Sequence, residues 1–397
     1  MKKINAKFSL PIQYPVYFEH DVFNVSNTRL VELLNSKFED VTTSVQSVYV
    51  FIDQGVVDAN VLLLDRITNY FKFFNKHINL VARPQVIVGG EAVKSQAEIE
   101  NMYQQLLLHK IDRHNVVISI GGGAVLDAVG YVCATFHRGI KLLRMPSTVL
   151  AQNDVGVSVK NGFNAFDTKN LIGTFCPPMA VLNDAALLDN LSARDHRAGL
   201  AEAVKVAAIR SQSFFGWMED NIDALCQFEP QASQYAIAKC AELHLAQITK
   251  TGDPFESGSA RPLDYGHWSA HKLEALAKYK VRHGEAVAIG MALDAKYAVE
   301  VGLLAEGEAY RLINLLKNLG FVLWHPVLEQ LDEQGQSLIL SGLEEFRQHL
   351  GGELRITLLT QIGTAKDVNY MELQALSAAL KWLKKTVNTA GSCRVVA

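Results

Sequence analysis

The hydrophobic positions of this chain follow two rhythms in its first half and one in its second. Residues 47–52 form a β-branched and aromatic run that stops at Asp53-Gln54-Gly55, a turn signal. Over 61–76 the apolar positions Leu62, Ile67, Tyr70, Phe71 and Phe74 recur at helical spacing. Strand-like pieces follow at 78–81 and 86–88, then a helix-like stretch near 95–110. Residues 116–120 read as a buried strand that runs straight into Gly121-Gly122-Gly123. Such alternation predicts a parallel sheet covered by helices on both faces. From about residue 195 the spacing is mostly helical, over 195–211, 233–250, 268–279, 284–303, 306–319 and 371–387, with one strand-like interruption at 354–359. The last strand-like run of the first half, 180–183, gives way to helices between 184 and 192. The pattern therefore predicts an α/β domain with a parallel sheet over residues 1–190, followed by a mostly α-helical domain over 191–397.

Composition narrows the function classes without naming one. The 397 residues are 49% hydrophobic and 20% charged, which suits a globular protein and not a rod or a disordered chain. Thirty-eight Lys and Arg stand against 41 Asp and Glu, so there is no basic excess of the kind that nucleic-acid binding needs. No run approaches the roughly 20 apolar residues that span a bilayer. The basic N-terminus leads into Phe8-Ser9-Leu10-Pro11 and not into an export signal, so a cytoplasmic location is expected. The five cysteines, Cys133, Cys176, Cys226, Cys240 and Cys393, are widely spaced and form no CxxC pair. Neither a disulfide framework nor a cysteine zinc site is indicated.

Three groups of residues carry chemistry. Gly121-Gly122-Gly123 follows a buried strand and opens an apolar segment, 124–134, a context in which backbone N–H groups at a helix start receive phosphate. It is neither the GxGxxG fingerprint, since Leu126 takes the third glycine position, nor a P-loop. Asp127 lies one turn further on, where a carboxylate can reach a ribose or simply favour the helix dipole. Glu202 and Lys205 share one helix face at i and i+3. Taken alone that is a surface salt bridge, but the surrounding positions are apolar, and an enclosed charge needs a partner or a metal. His267 and His271, at i and i+4, and His283 at the start of another apolar helix add imidazoles. One carboxylate and two imidazoles make a catalytic divalent-metal site, although spacing leaves open which two histidines bind. Lys160, Lys169 and Asn170 are donors along a loop suited to a phosphorylated substrate, if they are not merely solvated.

Together these segments resemble one family. The run 121–127 is similar to the GGGxxxD cofactor loop of the dehydroquinate synthase-like sugar phosphate cyclases, and 144–154 to their PTTLLAQxD segment. Residues 198–205 resemble RAGLAEVIK, 264–267 the [ND]xGH motif and 283–287 HGEAV, all in order between about residues 53 and 363. The resemblance implies NAD in the first domain, on Asp53, Glu91, Lys94, Gly122, Gly123, Asp127, Ser147 and Thr148. It implies a divalent metal, zinc or cobalt, on Glu202, His267 and His283. Catalytic roles would fall on Lys205, Asp154, Lys160 and Asp264, and substrate contacts on Lys169, Asn170 and His271. Arg138 resembles an arginine that reaches the neighbouring subunit in family homodimers. The implied activity is that of a carbon–oxygen lyase with a redox-neutral cycle. A substrate hydroxyl is oxidised, phosphate leaves, the ketone is reduced again, and ring opening with aldol closure yields a carbocycle. The related alternative is a metal-dependent polyol dehydrogenase of the glycerol-dehydrogenase type.

Departures from the family pattern bear on the substrate. Asp264 stands where dehydroquinate synthases carry Asn, as it does in cyclases acting on sedoheptulose 7-phosphate, and its charge opposes a substrate carboxylate. His271 instead follows the dehydroquinate synthase pattern. The stretch 346–352 lacks that enzyme's DKK signature, and the family lysine before [ND]xGH has no match, Ala246 falling in its place. Arg138, Lys160, Lys169, Lys205 and His271 are expected to converge on one phosphate pocket.

Overall fold

A computed structural model describes residues 3–36, 45–166, 168–250, 262–349 and 352–387. Cys393 and residues 350–351 of the 346–352 stretch lie outside the described residues. The chain divides into two compact units, one of residues 1–147 and 158–187, the other of 148–157 and 188–397. The division is thus not a single cut near residue 190. Ten residues in the midst of the first unit's sequence belong to the second.

The first unit is built on strands β1 Val16–Glu19, β2 Gln46–Asp53, β3 Ile78–Leu80, β4 Gln85–Ile87, β5 Val116–Gly121, β6 Lys141–Pro146, β7 Lys160–Ala165, β8 Thr168–Phe175 and β9 Ala180–Asp184. Seven of them form a sheet in the order β1-β9-β6-β5-β2-β3, with β4 also on β2, and every pairing in it is parallel. Alternate residues explain the two covered faces. Val48, Val50 and Ile52 of β2 pack in one apolar cluster, whereas Tyr49 and Phe51 pack in another on the opposite side. Each fully buried aliphatic or aromatic side chain of this kind stabilises the fold by about 1.5–3 kcal/mol.

Strands β7 and β8 correct the sequence reading, which took 160–170 as a loop. They form an antiparallel ribbon, Lys160 opposite Phe175 and Phe163 opposite Ile172. The polar composition hid it, because backbone pairing and one buried cation, and not an apolar pattern, fix the strand. Fully buried Arg144 donates to the carbonyls of Ser158 and Lys160 and to the side chain of Asn161.

In the second unit the helices Ala193–Arg210 and His283–Glu300 are core elements. Every residue from Ala198 to Ile209 and from Ala286 to Ala298 is buried, as expected for a helix apolar nearly all round. The helix Pro230–Lys250 packs on Ala193–Arg210, on the short helix Val149–Asn153 and on Val155–Val157. Two glycines permit the closest approaches. A Cβ on Gly284 would collide with the carbonyl oxygen of Ala198, and one on Gly290 with that of Gly266. The strand-like interruption near 354–359 is half of a two-stranded hairpin, β10 Ile356–Gln361 with β11 Thr364–Val368. No described helix is long and apolar enough to cross a membrane.

Candidate active site

In the first unit, parallel strands deliver their C-terminal ends to one place. The glycine run ends β5 and starts the 13-residue helix Gly123–Thr135, whose cap Gly122 brings no side chain to its first-turn N–H groups. Those donors suit a phosphate. Asp53, at the end of β2, is nearly buried; its carboxylate accepts from the N–H of Gly55 at 2.8 Å and from that of Gly122. Burial pushes its pKa up, against those two backbone donors. The Ser147 N–H donates to Gly121 O at 2.9 Å, so the ends of β5 and β6 are tied together.

Beside the glycine run, Lys94 donates to Asp127 Oδ2 and to Asn170 Oδ1, each at 2.7 Å. Glu91 accepts from Asn164 at 2.7 Å and lies 3.8 Å from the Lys169 ammonium. Residues expected to touch the cofactor and residues expected to touch substrate therefore form one network in this unit. Lys160 is exposed at the start of β7. Arg138 is exposed too, in a left-handed stretch with φ of 50° at His137 and 63° at Arg138.

The second unit holds a sealed charge centre. Glu202 and Lys205 are paired with side-chain exposures of 1% and 3%, so the surface salt bridge that spacing alone favoured is an internal ion pair. Burial pushes the Glu202 carboxyl up, and Asp154 adds to that while Lys205 opposes it. Burial also works against the Lys205 charge, but the carboxylates of Glu202, Asp154 and Asp264 outweigh it and hold the ammonium above its ordinary value. Thr148, cap of the Val149–Asn153 helix, accepts from Ala151 N, and Asn153 donates to Gly199 O at 3.0 Å. Asp154 is thereby delivered to the start of the Glu202 helix from a distant part of the sequence.

The three histidines gather as well, with ring centres 5.3–6.0 Å apart. Their surroundings separate them. His267 Nδ1 lies 3.1 Å from Tyr265 O; a carbonyl only accepts, so Nδ1 carries the proton and Nε2 keeps its lone pair. Burial, with the nearby charges of Lys205, His283 and His271, pushes the His267 pKa well down and keeps it neutral. His283 Nδ1 lies 3.0 Å from the buried carboxylate of Glu274, which also leaves Nε2 for a ligand. An imidazole whose far nitrogen is fixed by a carbonyl or carboxylate is the usual form of a metal ligand. His271 is exposed. A tighter grouping by ligand atoms is His271, Glu274 and His283, all within 4.8 Å of one another, and Glu202 is outside it, held by Lys205.

Sequence reasoning missed His244. It is 4% exposed on the Pro230–Lys250 helix, with Nδ1 2.8 Å from Asp154 Oδ1. Ala246, assigned to the place of the family lysine, is only half-buried on the same helix. The available signal was a histidine four residues beyond Cys240 on an otherwise apolar face. Asp154, some ninety residues away, could not be paired with it by spacing. Of the five cations expected to share a pocket, Arg138, Lys160 and Lys169 belong to the first unit and Lys205 and His271 to the second.

Comparison with known proteins accounts for most of the chain. Residues 85–198 match the family model described as 3-dehydroquinate synthase N-terminal, and 199–338 the one described as 3-dehydroquinate synthase C-terminal. A 3-dehydroquinate synthase of Pelotomaculum thermopropionicum is 38% identical over 271 residues, 66% of this chain and 72% of that protein. A 2-epi-5-epi-valiolone synthase of Streptomyces glaucescens is 34% identical over 307 residues, 76% of this chain and 77% of that protein. Among solved structures, the 2-epi-5-epi-valiolone synthase of Streptomyces hygroscopicus subsp. jinggangensis 5008, with NAD+ and Zn2+ bound, superposes with a TM-score of 0.84. It is 25% identical, and the match covers 96% of this chain and all of that one.

Proposed function

Because the chain belongs to the 3-dehydroquinate synthase family of phosphate-eliminating sugar phosphate cyclases, we propose that it closes a carbocycle from a C7 sugar phosphate lacking a carboxylate, of the sedoheptulose 7-phosphate kind. The observation that carries this choice is Asp264. Its carboxylate acts on Lys205 together with those of Asp154 and Glu202, so three acids already surround one ammonium. A substrate carboxylate would add like charge there, whereas a hydroxymethyl group would not. One feature favours the heptulosonate phosphate instead, namely His271, which follows the dehydroquinate synthase pattern.

Bound NAD supplies reversible hydride exchange at a hydroxyl-bearing carbon, and a bound divalent metal, zinc or cobalt, supplies a fixed positive charge beside it. The residues present fit both groups. Glu202, His267 and His283 would hold the metal, and Glu202 is the one of them that already pairs with Lys205. The helix start at Gly122 and Gly123, with Asp53, Glu91, Lys94, Asp127, Ser147 and Thr148, would hold NAD. Lys205 keeps its proton through the cycle and stabilises oxygen charge that develops next to it. Asp154 and Asp264 orient substrate hydroxyls as acceptors, and Lys160, Lys169, Asn170 and His271 bind the sugar phosphate. The active form is a cytoplasmic homodimer in which Arg138, exposed and held at positive φ, reaches the neighbouring copy.

The test is release of inorganic phosphate from sedoheptulose 7-phosphate, the heptulosonate phosphate and glucose 6-phosphate, with NADH followed in parallel. Phosphate from sedoheptulose 7-phosphate without net NADH is the expected result. Net NADH from a simple polyol, with no phosphate from any of the three, would return the protein to the dehydrogenase reading. Asp264→Asn should shift the kcat/KM ratio toward the heptulosonate phosphate by about tenfold, since one buried charge repulsion is removed.

A further inference from the structure

The second unit contains a buried polar atom that neither the fold nor the roles above use. His244 is 4% exposed, yet its Nε2 meets no hydrogen-bond partner among the described residues. Buried imidazole nitrogens are normally satisfied, so such an atom points to a missing ligand group. Its other nitrogen, Nδ1, lies 2.8 Å from Asp154 Oδ1, an ion-pair contact without the geometry of a hydrogen bond. The helix face that bears it also looks at the charge centre. Cys240, one turn earlier, is fully buried and feels the charges of Glu202, Asp154 and Lys205.

We propose that His244 is a substrate-contacting residue that selects for a sugar hydroxyl, with Asp154 orienting the ring and Nε2 facing the hydroxyl. The inference rests on the sugar phosphate reading above and adds to it a specificity determinant. A proton on Nδ1, the nitrogen that lies nearest the Asp154 carboxylate, leaves Nε2 as an acceptor. A hydroxyl hydrogen can fill that position, whereas a phosphate oxygen, itself an acceptor, cannot. The local charge agrees. Asp154, Glu202 and Asp264 outnumber Lys205 here, which suits a neutral hydroxyl better than the phosphate group. Placed in this way, the pair does for one hydroxyl what an alkyl-ammonium side chain could not do, because a lysine has donors only.

The experiment compares wild type, His244→Ala and His244→Gln, whose amide can replace the Nε2 contact. Substrates are sedoheptulose 7-phosphate and its single-deoxy analogues, with bound metal and NAD affinity measured for each protein. His244→Ala should lower kcat/KM by about 100-fold with metal content and NAD affinity unchanged, and His244→Gln should recover at least about tenfold of that. One deoxy analogue should be poor for wild type and no poorer for His244→Ala, which marks the hydroxyl read. The proposal is overturned if His244→Ala stays within about threefold of wild type. It is equally overturned if that variant loses the same factor on every analogue, or if His244→Gln recovers nothing although it is folded and metal-loaded. Should wild type bind these sugar phosphates without turning any over, the proposed function falls. The same variants in calorimetric binding of sedoheptulose 7-phosphate then still decide for or against His244.

Discussion

Each unit buries a lysine beside an acid, and the two pairs differ in what closes them off. Lys94 in the first unit shows 3% side-chain exposure, but its partner Asp127 shows 17% and stands next to the bare N-terminus of a helix. Lys205 and Glu202 in the second unit show 3% and 1% and are ringed by other titratable groups. The first pair stands beside glycine N–H groups that no side chain caps. The second is an enclosed charge cluster, in which Glu202 and Lys205 face each other and the charges of Asp154, Asp264 and His283. Recognition by backbone tolerates change in nearby side chains, whereas recognition by sealed charges does not.

Glu202→Ala tests that contrast at its largest. Removing one partner of a buried pair strands the other, at a cost of about 3–5 kcal/mol, and here a proposed metal ligand goes with it. Loss of bound zinc, loss of phosphate release and a fall in Tm are all expected; a variant with wild-type metal content would shift the ligand set toward His271, Glu274 and His283. Lys94→Ala should be milder, weakening NAD by about tenfold in calorimetry while leaving metal content intact. An equal loss of metal and NAD in that variant would erase the distinction between the two pairs.

A third buried acid sharpens the comparison, since no cation pairs with it among the described residues. Asp294, on the His283–Glu300 helix, accepts from Trp268 Nε1 at 2.8 Å and from Gly266 N at 3.1 Å, and so clamps the turn that carries His267. Burial pushes its pKa up to about 7, against those two donors. The folded protein therefore holds this proton above the ordinary range of an unfolded carboxylate. Its contribution to stability is present below about pH 4 and is lost as pH rises toward 7. Asp294→Asn should flatten the Tm profile between those limits by a few degrees relative to wild type. An unchanged slope would mean that this carboxyl titrates normally.

Much of the first unit was legible because its strands are apolar on both faces and its loop is glycine. Residues 116–123 announced both strand and turn, and the structure has β5 and a helix start there. Polar ribbons were not legible, since β7 and β8 depend on a buried Arg144 that pairs with backbone oxygens. In the second unit the motif residues could be found but not their states. That Glu202 is internal follows from helices covering every side of Ala193–Arg210, a fact of packing. Tyr265 O and Glu274 stand behind the rings of His267 and His283, an arrangement that spacing alone could not show. His244 was invisible because a single polar residue on a helix gains meaning only from the residue opposite it.

The ten residues 148–157 carry a practical consequence for anyone cutting this protein apart. The chain passes between the units at three places, near 147, 157 and 187. A fragment ending at 187 would carry Val149, Ala151 and Asn153, all buried in the whole protein, away from the helix that covers them. A fragment starting at 188 would lack Asp154, the carboxylate beside His244. Chimeras with a foreign first unit should therefore graft this decapeptide together with residues 188–397, so that the transplanted piece is discontinuous in sequence though whole in space.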